Sequence, residues 1–307
     1  MTSEREAAGG VVEPAPPARS RRSLLFVPGS TPEQIAKAAL SGADGLILDL
    51  EDAVAAGEKA RAREWVVAAL KRVDFGGRER VVRINAFGTS EGRADLAAVV
   101  PAGSDAVLLP KVEQPGELER VDEAVTRLER EAGLREGGTR LHLLIETVAG
   151  VVNAHALARG SARNAALMFG AADFTRETRG RLVPGRASEV YALSQVLLAA
   201  RTAGLDAIDT PYFELRDRSG LEAHARFAAD LGFDGKAVIH PDQIEIVNLV
   251  FTPSAEDVAE ARHVLAAYGD AEARGVGAVS LGGRFIDAAH VRGARQILAR
   301  ARVGRQA

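Results

Sequence analysis

The chain of 307 residues contains no cysteine. This absence excludes disulfides, thiolate metal sites and cysteine nucleophiles, and it fits a reducing compartment, so a cytoplasmic location is expected. No apolar run approaches the ~18 residues that a membrane span needs, so no membrane partner is expected. The formal net charge is −3 and no long basic block is present, which disfavours binding to nucleic acid.

Several common catalytic motifs are also missing from the sequence. It has no P-loop, no HExxH helix, no GxSxG elbow and no GxGxxG placed after a strand. Their absence argues against the commonest types of ATPase, zinc protease, serine hydrolase and dinucleotide-dependent dehydrogenase. The function must therefore be sought in other residues.

From Arg22 onward, short apolar runs alternate with longer segments of helical periodicity. The apolar runs predict strands at 24–27, 45–50, 80–85, 106–110, 141–146, 165–170, 206–210 and 235–240. Eight strands separated by helices are typical of the α/β TIM (β/α)8 barrel. A doubly wound sheet is the competing architecture, but it would usually need fewer strands before a second domain.

The chain is expected to have three parts. Residues 1–20 lack the apolar core of a signal peptide and predict a disordered tail, and residues 21–252 would form the catalytic barrel. Residues 253–307 predict a C-terminal helical cap or an arm that reaches a neighbouring subunit. Helices are predicted at 33–40, 59–70, 116–132, 151–158, 188–203, 221–231, 242–251, 255–273 and 287–301.

An acidic cluster follows the second predicted strand. Asp49, Glu51 and Asp52 come at the carboxyl end of the buried run that begins at Leu46. That end is where ligands bind in α/β folds, and clustered carboxylates normally need a cation or a bound proton. The alternative interpretation is a helix start at which acids are favoured by the helix dipole.

Two more acids follow the fifth and sixth predicted strands. Glu146 ends the run from Leu143, and Asp173 comes three residues after the run that ends at Gly170. Neighbouring strand ends would bring both acids to one point at the barrel mouth, where two carboxylates suit Mg²⁺, with Mn²⁺ as the alternative ion. The competing interpretation is that each acid caps the helix that follows it.

Three basic residues lie within predicted strands or at their ends. Arg83 lies inside an apolar strand, where it could bind a substrate carboxylate or stabilise an enolate, or else form a structural salt bridge. Lys111 could form a Schiff base, but the nearby acids favour an electrostatic role. His240 is at least as suited to a scaffold role as to acid–base chemistry.

Motifs in a fixed order give the chain a resemblance to a known family. These are SLLFVPG (23–29), LDLEDAV (48–54), VRIN (82–85), LPK (109–111), IET (145–147), FGAADF (169–174), IDTP (208–211), GFDGK (232–236) and IHP (239–241). The order resembles the citrate lyase beta-subunit-like family, which is related to malyl-CoA and citramalyl-CoA lyases. The similarity covers about residues 20–302.

The resemblance implies a TIM barrel with a C-terminal cap that assembles as a homotrimer or hexamer. It implies Mg²⁺ on Glu146 and Asp173, and Arg83 on the oxo and carboxylate oxygens of the substrate. The remaining implied site residues are Gly170 and Ala171 beside the substrate, and Asp49, Glu51, Asp52, Lys59 and Lys111 around the metal's waters.

The resemblance also implies a role for Asp287, which matches a catalytic aspartate that the C-terminal arm of one subunit supplies to the next. Without the family, Asp287 would be interpreted as a helix N-cap. Relatives often carry CoA-binding residues where this chain has Ser30 and Thr31, so Lys37 is the candidate for the CoA phosphates. Ala172 stands where many relatives have glutamate.

The expected function is Mg²⁺-dependent cleavage or condensation of a β-hydroxyacyl-CoA such as citramalyl-CoA or malyl-CoA. The products of cleavage would be acetyl-CoA and a 2-oxo acid. Two alternatives remain open at this point: an aldolase of free oxo acids without CoA, and a non-catalytic or complex-bound citrate lyase beta-type subunit that works on an acyl carrier.

Overall fold

The computed structural model describes residues 19–303 of the chain. The predicted disordered tail therefore lies, except for its last two residues, outside the described part. Within that part, Arg21–Thr252 form one compact unit, and the residues from Pro253 onward belong to a second. None of the helices described is long and apolar enough to cross a membrane.

Eight parallel strands of the described chain close into a barrel in which each strand pairs with the next and the last pairs with the first. Their bounds are β1 Ser23–Pro28, β2 Gly45–Asp49, β3 Glu79–Arg83, β4 Ala106–Leu109, β5 Arg140–Ile145, β6 Asn164–Phe169, β7 Asp206–Asp209 and β8 Gly235–Val238. The predicted barrel is confirmed. Strands β2 to β8 end one or two residues earlier than predicted, because the backbone leaves the ladder where it turns into the mouth loops.

The helices of this unit surround the strands. They are α1 Pro32–Ala38, α2 Lys59–Arg72, α3 Ser90–Val99, α4 Pro115–Glu131, α5 Val148–Val152, α6 Ala154–Ala158, α7 Ala171–Glu177, α8 Val190–Ala203, α9 Arg218–Leu231 and α10 Ile244–Phe251. The sequence did not predict α3 and α7, which are short and carry little apolar periodicity. The predicted helix 151–158 is two helices, because the backbone at Asn153 departs from helical geometry.

Alternation along the strands divides the core into two layers. Ile47, Val81 and Leu144 point into the barrel, whereas their sequence neighbours pack outward against the helices. Each buried leucine or valine contributes about 1.5–3 kcal/mol relative to exposure. The same alternation aims Asp49 and Arg83 into the barrel mouth, because they lie two residues beyond inward-facing positions.

The opposite end of the barrel is closed by charges. Arg21 forms ion pairs with Glu79 and Asp206, and the ring of His142 lies 3.5 Å from a carboxylate oxygen of Glu79. Burial opposes the charge of Glu79, but the nearby His142 ring and the Arg21 guanidinium outweigh burial and hold the pKa of Glu79 below its usual range. Ion pairs therefore close this end of the barrel, and ligands are expected to bind at the opposite end, at the carboxyl ends of the strands.

The second unit has its own small core. Helix α11 (Ala255–Glu272) packs against α12 (Ala288–Val303), and between them a hairpin pairs β9 (Val279–Leu281) with β10 (Arg284–Ile286). The side chain of Ser254 caps α11 by accepting a hydrogen bond from the backbone amide of Asp257. The helices predicted at 255–273 and 287–301 are present here.

Candidate active site

A cavity of about 440 Å³ lies at the carboxyl ends of the strands. The structure brings the following predicted residues to its lining: Asp49, Asp52, Arg83, Glu146, Gly170, Ala171 and Asp173. The lining also includes residues that were not predicted, among them Phe26, Thr210 and Phe213. Phe26 follows the inward alternation of β1, which the sequence pattern does contain, whereas the loop position of Phe213 has no such signal.

Asp49 is held in place by the backbone and by Arg83. Its carboxylate accepts hydrogen bonds from the amides of Glu51 (2.9 Å) and Ala53 (3.2 Å), so it stabilises the turn after β2. Both Nε and Nη2 of Arg83 also donate to it, the first at 2.7 Å. The structural salt bridge considered for Arg83 is therefore present, and Asp49 acts as its anchor.

Arg83 keeps one edge toward other groups. Its Nη1 lies 3.1 Å from Oε2 of Glu51, without the alignment of a hydrogen bond, and its guanidinium sits 5.0 Å from the centre of the Phe26 ring. Burial opposes its charge, but the carboxylates of Asp49, Glu51 and Glu146 outweigh burial and raise the pKa of Arg83. The cavity thus contains a permanent positive charge.

Lys111 links two acidic strand ends. Its backbone is left-handed (φ 53°), its amide donates to Oε1 of Glu146 (3.0 Å), and its ammonium pairs with Glu51. This agrees with the electrostatic role preferred for Lys111 over a Schiff base. Lys59 lies beside the acidic cluster, where its ammonium donates to the backbone carbonyls of Leu50 (2.9 Å) and Glu51 (2.5 Å).

Glu146 is the most perturbed acid in the cavity. Its side chain is 3% exposed, and burial raises its pKa to about 8, with the charges of Glu51 and Asp173 adding to the shift. Lys111 and Arg83 oppose that shift without cancelling it. An acid with so high a pKa is held where a further cation would stabilise its charged form.

Asp173 follows β6, as predicted, but it lies on a helix, because the chain turns into α7 directly after the strand. It lies in the first turn of α7, whose N-cap is Gly170, so it is not the capping residue. Its carboxylate pairs with the exposed Arg176 and also faces the cavity. Glu146 and Asp173 therefore meet at one cavity, although only Glu146 follows its strand directly.

These acids fit a magnesium ion. Among the described residues, no group of three or more carboxylate or imidazole side chains is arranged to hold a metal. Mg²⁺ commonly uses only one or two carboxylates and keeps waters and substrate oxygens as its other ligands. The raised pKa of Glu146 supports a magnesium site, because a bound cation would balance the buried negative charge of this carboxylate.

Gly170 is predicted to be necessary for the orientation of Glu146. A Cβ atom at Gly170 would lie 2.5 Å from Cβ of Glu146 and 2.9 Å from its Oε2. Gly170→Ala should therefore displace the carboxylate and weaken Mg²⁺ binding about 10–100-fold, measured by calorimetry. Gly116→Ala is the control, because nothing lies within 4 Å of its Cβ position. Equal affinity in both variants would contradict the prediction.

Besides Glu51, Lys59 and Lys111, two more predicted residues of the barrel unit do not line this cavity. Lys37 is exposed on α1, and His240 accepts a hydrogen bond from the amide of Asp242 (3.2 Å), which is a scaffold contact. Asp287 belongs to the second unit, where its carboxylate accepts from the amide of Ala289 (2.9 Å) and contacts Nδ1 of His290 (2.8 Å). Its N-cap role is thus present in the structure, and its catalytic role stays a prediction.

Known proteins of similar sequence match most of this chain. The chain is 38% identical to the citrate lyase subunit beta of Leuconostoc mesenteroides subsp. cremoris over 91% of this chain and 93% of that protein. It is 39% identical to a (3S)-malyl-CoA thioesterase of Cereibacter sphaeroides over 91% of this chain and 94% of that protein.

A solved structure also matches across most of the chain. The CitE protein of Mycobacterium tuberculosis, determined with magnesium, acetoacetate and coenzyme A, has a TM-score of 0.74 and 34% identity, covering 92% of this chain and 98% of that one. A carbon–carbon bond lyase family of the TIM-barrel fold matches residues 197–304, and the pattern of a second family matches residues 22–241. That second match identifies this chain as a member of the HpcH/HpaI aldolase/citrate lyase family.

Proposed function

We propose that this protein is a Mg²⁺-dependent carbon–carbon lyase that acts on a β-hydroxyacyl-CoA, such as citramalyl-CoA or malyl-CoA. Cleavage gives acetyl-CoA and a 2-oxo acid, and the reverse reaction is a condensation. The observation that carries the proposal is that Glu146 and Asp173 share one cavity with the Arg83 guanidinium. The relatives named for citrate lyase and malyl-CoA chemistry support the substrate class.

In this proposal, Glu146 and Asp173 hold Mg²⁺, which polarises the substrate oxygen that becomes the carbonyl of the 2-oxo acid. Arg83 contributes positive charge near the substrate oxygens, and its pairing with Asp49 keeps the guanidinium from turning away. Asp52 lines the cavity and Glu51 lies behind it, where both can orient water. The ammonium of Lys111 limits the repulsion between Glu51 and Glu146.

Breaking the Cα–Cβ bond leaves an enolate on the thioester half, which must gain a proton at carbon. We assign that proton transfer to Asp287 of a neighbouring subunit, in line with the family resemblance. Its carboxylate is exposed, and hydrogen bonds from His290 lower its pKa, so it is charged at neutral pH. In cleavage it would therefore first accept the proton of the β-hydroxyl group and then deliver that proton to the enolate carbon, and in condensation it would take a proton from the acetyl carbon. Lys37, which is also exposed, is assigned to the CoA phosphates.

Shared sites can be tested by mixing subunits. Asp287→Ala and Arg83→Ala proteins are each expected to be inactive, and mixed oligomers should recover part of the activity, because some sites then combine an intact Arg83 with an intact Asp287. The measurement is acetyl-CoA release after mixing, with mixed assembly confirmed by mass spectrometry. Confirmed mixed oligomers without recovered activity would show that Asp287 does not act across subunits.

The reaction type is tested by product analysis. Purified protein with Mg²⁺ and a panel of β-hydroxyacyl-CoA thioesters should release acetyl-CoA and a 2-oxo acid in equal amounts. Release of free CoA and the intact hydroxy acid would instead indicate a thioesterase, which one group of relatives is named for. Cleavage only of free hydroxy-oxo acids, or only of acyl-carrier thioesters, would replace the proposal by the corresponding alternative.

A further inference from the structure

A second cavity of about 440 Å³ lies beside the first in the barrel unit. It is bounded by the loop 178–189, by the loop 210–217 after β7, and by one face of α9. Ala171, Thr210, Pro211 and Phe213 line both cavities, so the two share a wall. The second cavity therefore adjoins the candidate active site.

The loop 178–189 is fixed at Arg186. This residue has a left-handed backbone (φ 60°) and is only 2% exposed. Its guanidinium donates to both carboxylate oxygens of Asp209 (2.7 and 3.0 Å) and to Glu189 (2.8 Å). A strained, buried arginine with two carboxylate partners holds the loop in one position, so the cavity is already formed without a ligand.

The charges beneath the cavity cancel. Arg186 and Lys236 carry two positive charges, and Asp209 and Glu189 carry two negative ones. No net charge is left to attract an anion, and the acids Glu214 and Asp217, which also line the cavity, repel one. A phosphate or a second carboxylate is therefore unsuited to this cavity.

His224 offers one hydrogen-bond donor to the cavity. The three protons of the Lys236 ammonium go to Asp209 (2.7 Å), to the carbonyl of Thr210 and to Nδ1 of His224 (2.7 Å). Since Nδ1 accepts, the neutral ring carries its proton on Nε2, which has no partner among the described residues. Burial and Lys236 lower the pKa of His224 to about 3, so the ring is neutral at pH 7.

Most of the remaining lining is apolar. Leu182, Val183 and Phe213 are 45%, 40% and 43% exposed and lie on the two loops, while Phe227 and Ala223 lie on α9. Covering such side chains with an apolar ligand group contributes about 25 cal/mol per Å² removed from water. An uncharged group with an apolar body and one hydrogen-bond acceptor matches this combination of walls and donor.

We propose that the second cavity binds the uncharged side chain of the 2-oxo acid part of the substrate, and that this side chain is branched or aromatic and carries an oxygen that accepts a hydrogen bond from His224. The inference rests on the proposed function for the identity of the oxo acid. It extends the proposed substrates beyond malyl-CoA and citramalyl-CoA to those whose 2-oxo acid carries a substituent larger than hydrogen or methyl, because the cavity has room for a ring.

The test is calorimetric titration of 2-oxo acids into the full chain with saturating Mg²⁺. Phenylpyruvate should bind at least tenfold more tightly than pyruvate, and 4-hydroxyphenylpyruvate more tightly still. Leu182→Trp should remove the advantage of both aromatic acids and leave pyruvate unchanged, because it fills the cavity from an exposed position. Leu215→Trp is the control, since Leu215 is 52% exposed and lines neither cavity.

His224→Phe provides a second measurement, and it should abolish only the preference for the hydroxyl over the bare ring. Pyruvate binding as tightly as phenylpyruvate in the wild type would overturn the proposal, as would equal losses for all three acids in Leu182→Trp. Failure of the proposed function is distinguishable. If no thioester is cleaved but the preference is present, the cavity assignment stands; if short thioesters are cleaved and no preference exists, only the cavity assignment falls.

Discussion

Glu146→Gln is expected to reduce lyase activity by about a thousandfold and to abolish measurable Mg²⁺ binding. The variant keeps the size of the side chain but removes the charge of the more buried of the two proposed ligands. Loss of the metal's polarising effect raises the barrier by several kcal/mol, and each 1.4 kcal/mol is about tenfold in rate. The measurements are acetyl-CoA release and calorimetric titration of Mg²⁺.

The same variant should have a higher free energy of unfolding than the wild type at pH 8 in the absence of metal. A loss of activity can therefore be distinguished from a loss of folding. The pKa of Glu146 is raised to about 8 from 4.5, so between these values the folded metal-free protein binds one more proton than the unfolded chain. The free energy of unfolding of the metal-free wild type therefore falls as pH rises from about 4.5 to 8, by at most about 5 kcal/mol. Glu146→Gln lacks this fall and should be the more stable protein at pH 8.

Urea unfolding with a chelator at pH 6 and pH 8 measures this difference directly. The Mg²⁺ affinity of the wild type should in turn increase about tenfold per pH unit up to about pH 8, because binding releases that proton. Wild type and variant with the same pH dependence of stability would contradict the assignment. If Glu146→Gln bound Mg²⁺ with wild-type affinity, Glu146 would not be a metal ligand.

Asp209→Asn is expected to lower the free energy of unfolding by about 3–5 kcal/mol, because it leaves Arg186 and Lys236 buried without their shared anion. Asp209 is fully buried, and both cations outweigh the effect of burial and lower its pKa. No other carboxylate can replace it, since Glu189 contacts only Arg186 among these two cations. The measurement is the shift in the urea midpoint at pH 7.

Glu222→Gln is the matched control for this prediction. Glu222 pairs with Arg226 at 2.9 Å on the exposed surface of α9, and such pairs contribute only about 0.3–0.5 kcal/mol. A loss in Asp209→Asn no larger than in Glu222→Gln would show that the buried charges do not depend on Asp209. Because the chain has two compact units, unfolding should be followed by the single tryptophan, Trp65, which lies in the barrel unit.

The barrel was predictable because its strands are apolar on both faces and its helices have a regular apolar period. The same regularity placed Glu146 and Arg83 correctly, since each lies at or one residue beyond a strand end. Asp173 was predicted to reach this cavity, but the helix α7 on which it lies was not predicted, because the turn from β6 into α7 has no signal stronger than Gly170. The expected function came from the family resemblance, which rests on the order of the motifs and not on periodicity.

Long-range pairing accounts for what the sequence did not show. Arg186 meets Asp209 across 23 residues and Lys236 meets it across 27, and no local pattern predicts which acid a buried cation will choose. The loop 178–189 is rich in arginine, but its sequence does not indicate where it folds. Its position depends on those pairings, so the second cavity that it bounds was also beyond sequence reasoning.

The buried anchor at Arg186 lies just after the part of the loop that lines the second cavity, residues 182–185. The proposed metal ligands Glu146 and Asp173 lie outside this segment. Exchanging the segment while keeping Arg186 and Glu189 should therefore change which oxo acids fit without disturbing the chemistry. In this sense the molecule separates the choice of substrate from the reaction, and a designer could alter the first by loop grafting alone.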